Sequence, residues 1–516
     1  MQRRSANSLA ALPASNSPMS RPSPMRKPLF LVVSPVILLS GPAFAEGDQA
    51  SPAAAAPEAV NVDLLRVEAS GLTADQVARR AAQTSYVAKA NEAALQAASA
   101  RVDVAYAQYF PRLSGTARYT RLSDFTPPAL SFGSGGSLVG TPAPAGTLNP
   151  SPTVAVALGG ISFPLVLNNY LMQASLIVPV SDYFLRISQS YSAATNAQAA
   201  ARHDVVAARA RSAADGRVTF YTWLRARGAY LVTVEALQDQ KNHYKDAQNQ
   251  FNVGNASKAD VLRAETGVAA AELQVVRAHN LAELVDKQLR IAMHDSSDRP
   301  LAVGESLDAA VAPVQGNLKT LVSEAHSARL EIKSIDASAE AVRQQAVAVK
   351  NGGLPQFAAF GDALYANPNQ RRFPQTDEWF ATWDVGVQLT WSPNDTASAF
   401  ANARGIDAQV AQIEAQKLSL RDGIELEVTQ AYQATLEADQ AIASTKRELA
   451  AATEAYRVSR ELFNAGRATS LVVTDAESGL TRARLDELNA KVDARLSRVR
   501  LDHALGRDTA GAIATP

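Results

Sequence analysis

Two stretches of the chain repeat each other, and each contains a glycine inside an otherwise helical sequence. The first is residues 251–257 (FNVGNAS), and the second is residues 463–469 (FNAGRAT), 212 positions later. The same spacing pairs Tyr244 with Tyr456, Glu265 with Glu477, Gly267 with Gly479 and Leu289 with Leu501. A repeat of this length indicates a duplicated structural unit, so we expect both halves of the chain to have the same fold.

Long tracts without proline indicate that the unit is mostly helical. No proline occurs over residues 180–299 or 394–515, and both tracts are rich in Ala, Leu, Glu, Gln and Arg. Proline disrupts a helix interior, whereas these residues favour it. A helix over residues 182–250 would be roughly 100 Å long at 1.5 Å per residue. The glycines predict tight turns between antiparallel helices, each followed by an N-cap: Gly254 with Ser257, and Gly466 with Thr469.

The last helix also has a coiled-coil pattern. Its apolar residues recur at nearly heptad spacing, at Leu485, Leu488, Val492, Leu496 and Val499. Taken alone, such helices are equally typical of an isolated coiled coil.

Four other segments alternate apolar and polar residues, as strands with one apolar face do. The clearest is residues 375–391, where every odd position from Trp379 to Trp391 is apolar. Aromatic residues at both ends of an apolar strand face resemble the girdle of a membrane β-barrel. A soluble, half-buried sheet is the other interpretation. The weaker candidate strands begin at Leu113, Tyr170 and Phe357.

The N-terminus predicts export. Arg26 and Lys27 precede an apolar run over residues 29–39, and Ala43-Phe44-Ala45 follows. This order of charged, apolar and small residues is typical of a signal peptide, with cleavage expected after Ala45.

Each repeat is expected to run helix, β-hairpin, long helix, turn, helix. Helices near residues 73–108 and 318–350 lead into the first and third strands, and a long surface loop occupies 123–169. The predicted organisation is an N-terminal extension with signal peptide (1–45), a flexible segment (46–70), the first repeat (71–299), a linker (300–316), the second repeat (317–506) and a tail (507–516).

Composition and motifs argue against several functions. The 50 basic and 50 acidic residues balance, so nothing suggests a nucleic-acid partner, and the absence of cysteine excludes disulfides. We find no metalloprotease, P-loop or nucleophile-elbow motif. We therefore expect no enzyme activity, catalytic residue, metal or cofactor. The histidines form no i,i+4 pair and are expected on solvated helix faces: His203, His243, His279, His294, His326 and His503.

With its duplication, its glycine turns and its helix-to-strand junctions at residues 109–113 (YFPRL) and 354–357 (LPQF), the chain resembles the TolC-like outer-membrane efflux proteins. The resemblance covers roughly residues 72–506. It implies a mixed fold, a membrane β-barrel continued by a long α-helical coiled-coil barrel. Four strands per protomer would complete a 12-stranded barrel in a homotrimer, since four strands alone could not close.

The resemblance also implies partners and sites. The adaptor-docking turns correspond to Val253, Gly254, Asn255, Gly466 and Arg467. A periplasmic gate corresponds to Asp475, an acidic ring in the family, and to Val472, where the family often has a second acidic residue. Asp260 matches an inter-helix tie whose arginine aligns with Ala468, so that Arg467 is the nearest candidate partner. For Asp260 and Asp475, a capping or solvated carboxylate is the other interpretation.

We therefore expect a passive outer-membrane duct, with Trp379 and Trp391 as its membrane girdle and helices extending into the periplasm. Its expected partners are outer-membrane lipid, a periplasmic adaptor and an inner-membrane pump. Drug efflux and type I protein secretion share this architecture, and the sequence favours neither. The alternative is a periplasmic structural coiled-coil or adaptor protein without a membrane barrel.

Overall fold

Long helices dominate the chain, and one small antiparallel sheet connects to them. The computed structural model describes residues 67–124 and 166–508. In chain order its elements are β1 (Val67–Leu72), α1 (Ala74–Thr84), α2 (Tyr86–Ala107), β2 (Arg112–Arg121), β3 (Asn168–Val178), α3 (Val180–Asp182), a π-helical turn (Tyr183–Ile187), α4 (Ser188–Asn252), α5 (Lys258–Met293), α6 (Leu318–Ala328), α7 (Leu330–Asn351), β4 (Gln356–Asn367), β5 (Phe380–Thr390), α8 (Pro393–Asn464) and α9 (Ser470–Ala504).

Several sequence predictions fall outside the described residues. These are the signal peptide (1–45), most of the segment 46–70, the centre of the loop 123–169 and the end of the tail 507–516. Residues 67–70, assigned to the flexible segment, belong instead to β1.

The two predicted helical hairpins are present. In the first, α4 (65 residues) packs antiparallel to α5, and in the second, α8 (72 residues) packs antiparallel to α9. The α8 helix begins with Pro393, where the missing N–H costs nothing because the first helical N–H groups have no partner in the helix. No described helix combines the length and apolarity needed to cross a membrane.

The predictions of one unbroken helix near 73–108 and another near 318–350 were wrong, because each is broken once. Ser85 leaves the helical conformation (ψ 126°), and its Oγ accepts a hydrogen bond from the Ala88 N–H at 3.3 Å, which starts α2. Arg329 (ψ 124°) breaks the second helix and donates to the backbone carbonyls of His503 and Ala504. The two breaks lie at equivalent places in the repeat.

The four predicted strands form one antiparallel sheet in the order β2-β3-β4-β5. The fourth strand is shorter than predicted, so that Trp379 and Trp391 flank β5 on either side. The register brings apolar residues of neighbouring strands onto one face, pairing Leu113 with Leu176, Met172 with Tyr365, and Ala359 with Val387. We call this side the apolar sheet face; its exposed large residues include Leu113, Tyr119, Tyr170, Met172, Leu176, Phe357, Tyr365, Trp383, Val385, Val387 and Leu389.

The opposite sheet face is mixed, with polar residues at its centre. Asp362 accepts hydrogen bonds from Gln173 Nε2 at 2.9 Å and from Ser175 Oγ. Asp384, paired with Asp362 in the register, lies 2.6 Å from the Arg371 guanidinium. The Arg371 charge therefore offsets the repulsion expected between two facing carboxylates.

The largest core cluster joins α4 to α9. Phe220, Trp223 and Leu224 of α4 are fully buried, together with Val492 of the predicted heptad seam. The strand β1, which the sequence did not predict, bridges to Val303 at the edge of this cluster. The seam on α9 is therefore the face that holds the second hairpin against the first.

Candidate functional site

The two repeated turns lie side by side at the far ends of α4 and α8. Gly254 and Gly466 both have positive φ, +84° and +71°, a conformation that glycine adopts without the Cβ clash of other residues. Both turns close by the same bonds: the Gly254 N–H donates to the Phe251 carbonyl at 3.0 Å, and the Gly466 N–H to the Phe463 carbonyl at 2.9 Å. The predicted turn geometry is confirmed at both glycines.

Contacts between the repeats hold the turns together. Gln250 Nε2 donates to the Asn464 carbonyl at 2.9 Å, and one helical turn above, Arg460 Nε donates to Asp246 Oδ2 at 3.0 Å. A Cβ added to Gly466 would lie 3.9 Å from the Asn255 side chain. The duplicated turns thus form one surface, which we call the paired turns: Val253, Gly254, Asn255, Gly466 and Arg467.

The N-cap predictions differ in outcome. Ser257 caps α5 in a reciprocal arrangement, since its Oγ accepts from the Asp260 N–H and the Asp260 carboxylate accepts from the Ser257 N–H at 3.1 Å. Thr469 occupies the N-cap position of α9 but makes no side-chain cap hydrogen bond.

Asp260 is held mainly within its own helix. The Ser257 hydroxyl donates to its carboxylate at 2.6 Å and lowers the pKa of Asp260, as do the Arg263 guanidinium and the backbone N–H of Ser470 in α9. Among the described ion pairs, the partner of Asp260 is Arg263 at 3.4 Å rather than Arg467. Within one protomer the expected pairing with Arg467 is therefore absent, and the capping interpretation of Asp260 describes its contacts.

The turns and the start of α9 present apolar side chains to solvent. Val253 is 69% exposed and Val472 is 44% exposed, while Asp475 is also exposed one turn further along. Val473 and Leu480 point the other way and are buried against the first hairpin. Val472 and Asp475 thus lie on the exposed side of α9, away from the first hairpin.

A layer of buried polar groups lies a few helical turns behind the paired turns. It contains Gln240 and His243 of α4, Tyr456 of α8, and Ser470 and Glu477 of α9, and we call it the tip polar layer. His243 is completely buried, and its Nε2 lies 2.9 Å from Ser470 Oγ. The prediction that the histidines lie on solvated faces was therefore wrong for His243, because α9 of the other repeat covers it.

Burial shifts the titration of this layer. It lowers the pKa of His243 and raises the pKa of Glu477 to about 8, with the nearby Asp239 carboxylate adding to the second shift. Arg484 and the Gln240 amide oppose that shift, but no donor reaches either carboxylate oxygen of Glu477 with hydrogen-bond geometry. The sequence analysis did not predict this layer, although it identified Glu477 as the equivalent of Glu265 in the repeat.

Aromatic side chains cluster at one end of the apolar sheet face. The Trp379 ring lies 4.8 Å from the Tyr365 ring and 5.7 Å from the Tyr170 ring, which in turn contacts Tyr119 at 5.0 Å. At the other end, Trp391 Nε1 donates to Thr396 Oγ1 at 3.0 Å. The two predicted girdle residues thus stand at opposite ends of one exposed apolar strand face.

Among the described residues, no group of three or more His, Cys, Asp or Glu side chains is arranged to hold a metal ion. The site consists instead of two surfaces, the paired turns and the apolar sheet face, joined by roughly 100 Å of helix.

Comparison with known proteins gives the fold. No curated protein matches the chain by sequence. The structure of CusC is similar, with a TM-score of 0.69 and 14% identity over 86% of this chain and 94% of that one. The outer-membrane channel OprN has a TM-score of 0.66 and 17% identity, covering 90% and 98% of the two chains. The CmeC outer membrane channel of Campylobacter jejuni has a TM-score of 0.65 and 16% identity, covering 88% of this chain and 94% of that one.

The family match lies in the second repeat. Residues 321–507 match the family model described as outer membrane efflux protein, a segment that runs from α6 through the second turn to the end of α9. The resemblance drawn from the glycine turns and the helix-to-strand junctions is therefore confirmed: the second repeat matches the outer membrane efflux protein family, and the fold is that of the TolC-family channels CusC, OprN and CmeC.

Proposed function

We propose that three copies of this chain form an outer-membrane channel-tunnel, a passive duct that exports small molecules or proteins. Edge strands support the trimer. Within the described sheet, β2 and β5 each pair on one side only, which leaves a row of backbone N–H and C=O groups open on each. Pairing β5 of one copy with β2 of the next satisfies both edges, and three copies of four strands give a closed barrel of twelve.

The helices support the same assembly. In the described chain α4 packs against α2 and α7, and α7 packs against α8, so the helices next to the sheet follow the same lateral order as the strands. The two outermost helices expose apolar residues, among them Val104 of α2 and Leu418 and Leu426 of α8. A ring of three copies would cover these positions, placing α8 of one protomer beside α2 of its neighbour.

The apolar sheet face supports contact with lipid. Its large side chains are exposed along all four strands, an arrangement rarely left uncovered on a water-soluble monomer. Trp379 and Trp391 lie 12 residues apart, about 40 Å along a strand at 3.3 Å per residue. A strand tilt of about 45° converts this into a height of about 28 Å, close to the roughly 25 Å apolar band of an outer-membrane barrel.

The paired turns would then be the far end of a tunnel through the periplasm. We assign Val253, Gly254, Asn255, Gly466 and Arg467 to docking of a periplasmic adaptor, which would connect the duct to an inner-membrane pump. Asp475 and Val472 would each form a ring around the threefold axis, since symmetry brings the same residue there three times. The duct needs no catalytic residue, metal or cofactor, because energy comes from the pump.

One observation carries this proposal: a single register places the apolar residues of four strands on one exposed face and leaves both sheet edges open. Fractionation of cells that produce the full chain tests it. We expect the protein in the outer membrane, as a species that runs in mild detergent at three times the protomer mass and dissociates on heating. A monomer in the periplasmic fraction would refute the duct and favour the alternative, a periplasmic coiled-coil or adaptor protein.

A further inference from the structure

The tip polar layer contains more unsatisfied polar atoms than a helical interface normally tolerates. Five buried side-chain atoms there have no hydrogen-bond partner: Gln240 Oε1, His243 Nδ1, Tyr456 OH, and both carboxylate oxygens of Glu477. Buried polar groups are nearly always paired, and leaving one unpaired costs free energy. Within the described helices, the unpaired buried side-chain atoms are concentrated in this layer.

Glu477 is the residue on which the layer depends. Its side chain is 1% exposed and lies among apolar neighbours, including Val473 and Leu480 of α9. The equivalent residue of the first repeat, Glu265 of α5, is exposed. The duplication thus supplies two glutamates at the same place in the repeat, only one of which is enclosed.

The charges around Glu477 leave it without a counter-ion. From α4, Asp239 faces it, and Arg484 of α9 is already shared between Asp239 at 3.2 Å and Glu235 at 3.6 Å. From α8, Arg460 is paired with Asp246. From α5, Asp260 is held by Ser257 and Arg263 as described above. An ionised Glu477 would therefore add a second, unpaired carboxylate beside Asp239.

We propose that a proton held on Glu477 locks the ends of the two helical hairpins together, and that loss of this proton loosens α9 from α4 near the paired turns. A protonated carboxyl is neutral and fits the apolar surroundings. A carboxylate requires water, which reaches this position only when the hairpins separate.

The sign of the pH effect follows from the same groups. Burial, and then Asp239, raise the pKa of Glu477 from 4.5 to about 8, whereas a carboxyl exposed by opening regains its ordinary value. The packed state therefore binds the proton more tightly than the open state, and packing weakens as the pH rises from about 4.5 to about 8. Between pH 6 and pH 8 the titration of Glu477 alone would raise the equilibrium constant for opening about 50-fold.

His243 sets the lower limit of this window. Its pKa is lowered by burial, so the packed state favours the neutral ring, and acid weakens the packing by protonating it. The neighbouring charges partly cancel, because Asp246 and Asp260 raise the pKa of His243 and Arg460 lowers it. Below the ordinary histidine pKa of about 6.5 the two effects oppose each other, so the packing weakens most steeply between about pH 6.5 and about pH 8.

The lock is a property of the packing within one protomer, and its use as a control of tunnel opening rests on the proposed function. Its test is therefore a measurement of packing rather than of export. Hydrogen–deuterium exchange of the full chain in detergent, between pH 6 and pH 8.5, reports local opening over residues 239–247 and 470–480. Dividing each rate by the intrinsic exchange rate at that pH removes the chemical pH dependence.

In the wild-type protein we expect the corrected protection of both segments to fall by about 10- to 50-fold between pH 6 and pH 8, because the titration of His243 offsets part of the effect of Glu477. Glu477→Gln, which is always neutral, should keep its pH 6 protection across the range. Glu265→Gln is the matched control and should behave as the wild type, because that position is already in solvent. Protection that does not change with pH in the wild type, or that falls equally in Glu477→Gln, would overturn the lock.

A second variant keeps the proposal testable if Glu477→Gln packs poorly. Asp239→Asn removes the facing carboxylate and leaves Arg484 freer to approach Glu477, so the midpoint of the pH transition should move to lower pH. An unmoved midpoint would overturn the assignment to Glu477. A pH transition of this kind in a protein that fails to enter the outer membrane would support the lock while refuting the duct, so the two proposals fail separately.

Discussion

A single charge at Val387 tests the assignment of the apolar sheet face. Val387 lies in β5 opposite Ala359 and is 67% exposed, with Val385 and Leu389 exposed on the same side. It is four residues from Trp391, about 13 Å along the strand, or about 9 Å of depth at a tilt of about 45°. Since half the span between the two girdle tryptophans is about 14 Å, Val387 lies within about 5 Å of the predicted bilayer midplane.

Val387→Arg should therefore carry nearly the full penalty for a charge at the midplane, about 2–4 kcal/mol per copy. Three copies in the proposed trimer, far enough apart to act independently, would lose about 6–12 kcal/mol. The assay is the amount of heat-dissociable trimer in outer-membrane fractions, with total protein measured in parallel. We expect the trimer to fall to a small fraction of the wild-type amount.

The neighbouring residue provides the control. Gln388 lies on the opposite face of β5, and its Nε2 donates to Thr390 Oγ1 at 2.9 Å, a bond between two polar side chains near the end of the strand. Gln388→Arg adds the same charge and similar volume toward the proposed lumen, so trimer yield should stay near that of the wild type. Equal yields of the two arginine variants, whether both high or both low, would refute the assigned faces.

Three further changes probe the rest of the molecule. Gly466→Pro cannot keep the positive φ of the second turn, so we expect a membrane-inserted trimer that no longer exports its substrate, which is measured as substrate retained in cells. Export at the wild-type level would show that this turn is not needed for docking. Asp475→Asn should lower the ratio of K⁺ to Cl⁻ permeability in planar bilayers, because a ring of carboxylates favours cations. An unchanged ratio would favour the interpretation of Asp475 as a solvated helix residue. Trp223→Ala should destabilise the α4–α9 core by about 3–5 kcal/mol, seen as a lower thermal midpoint, whereas Trp383→Ala on the exposed sheet face should leave that core unaffected.

Most of the fold could be predicted from the sequence because helices, turns and strands here are determined by local sequence patterns. The long helices follow from proline-free tracts, the turns from glycines that tolerate positive φ, and the strands from strict alternation of apolar and polar residues. The helix break at Ser85 could have been found, since serine is a favoured N-cap. The break at Arg329 carries no such signal, since arginine is not a favoured N-cap. Beyond the nearby Glu331, its partners are Glu427 and the carbonyls at the end of α9, about 100 or more positions away in sequence.

The candidate site could be predicted from the sequence only in part, because its details depend on packing between distant segments. The paired turns were visible as a repeat, but a repeat assigns equal surroundings to equal residues. Glu265 and Glu477 occupy the same place in the two units, and only packing against Asp239 and Tyr456 encloses the second of them. The expected tie between Asp260 and Arg467 shows the same limit, because alignment gives a position and the local cap formed by Ser257 determines the contact.

The two open edges of the sheet have a genetic consequence. In the proposed homotrimer every barrel contains strands from all three copies, so a cell that makes two versions of the chain mixes them within one assembly. A variant that keeps β2 and β5 intact but damages the paired turns would still enter these barrels. With equal synthesis of both versions and random assembly, roughly one trimer in eight would contain only intact copies. Damage at the turns should therefore behave as dominant, and damage to the sheet edges, which keeps the faulty chain out of the barrel, as recessive.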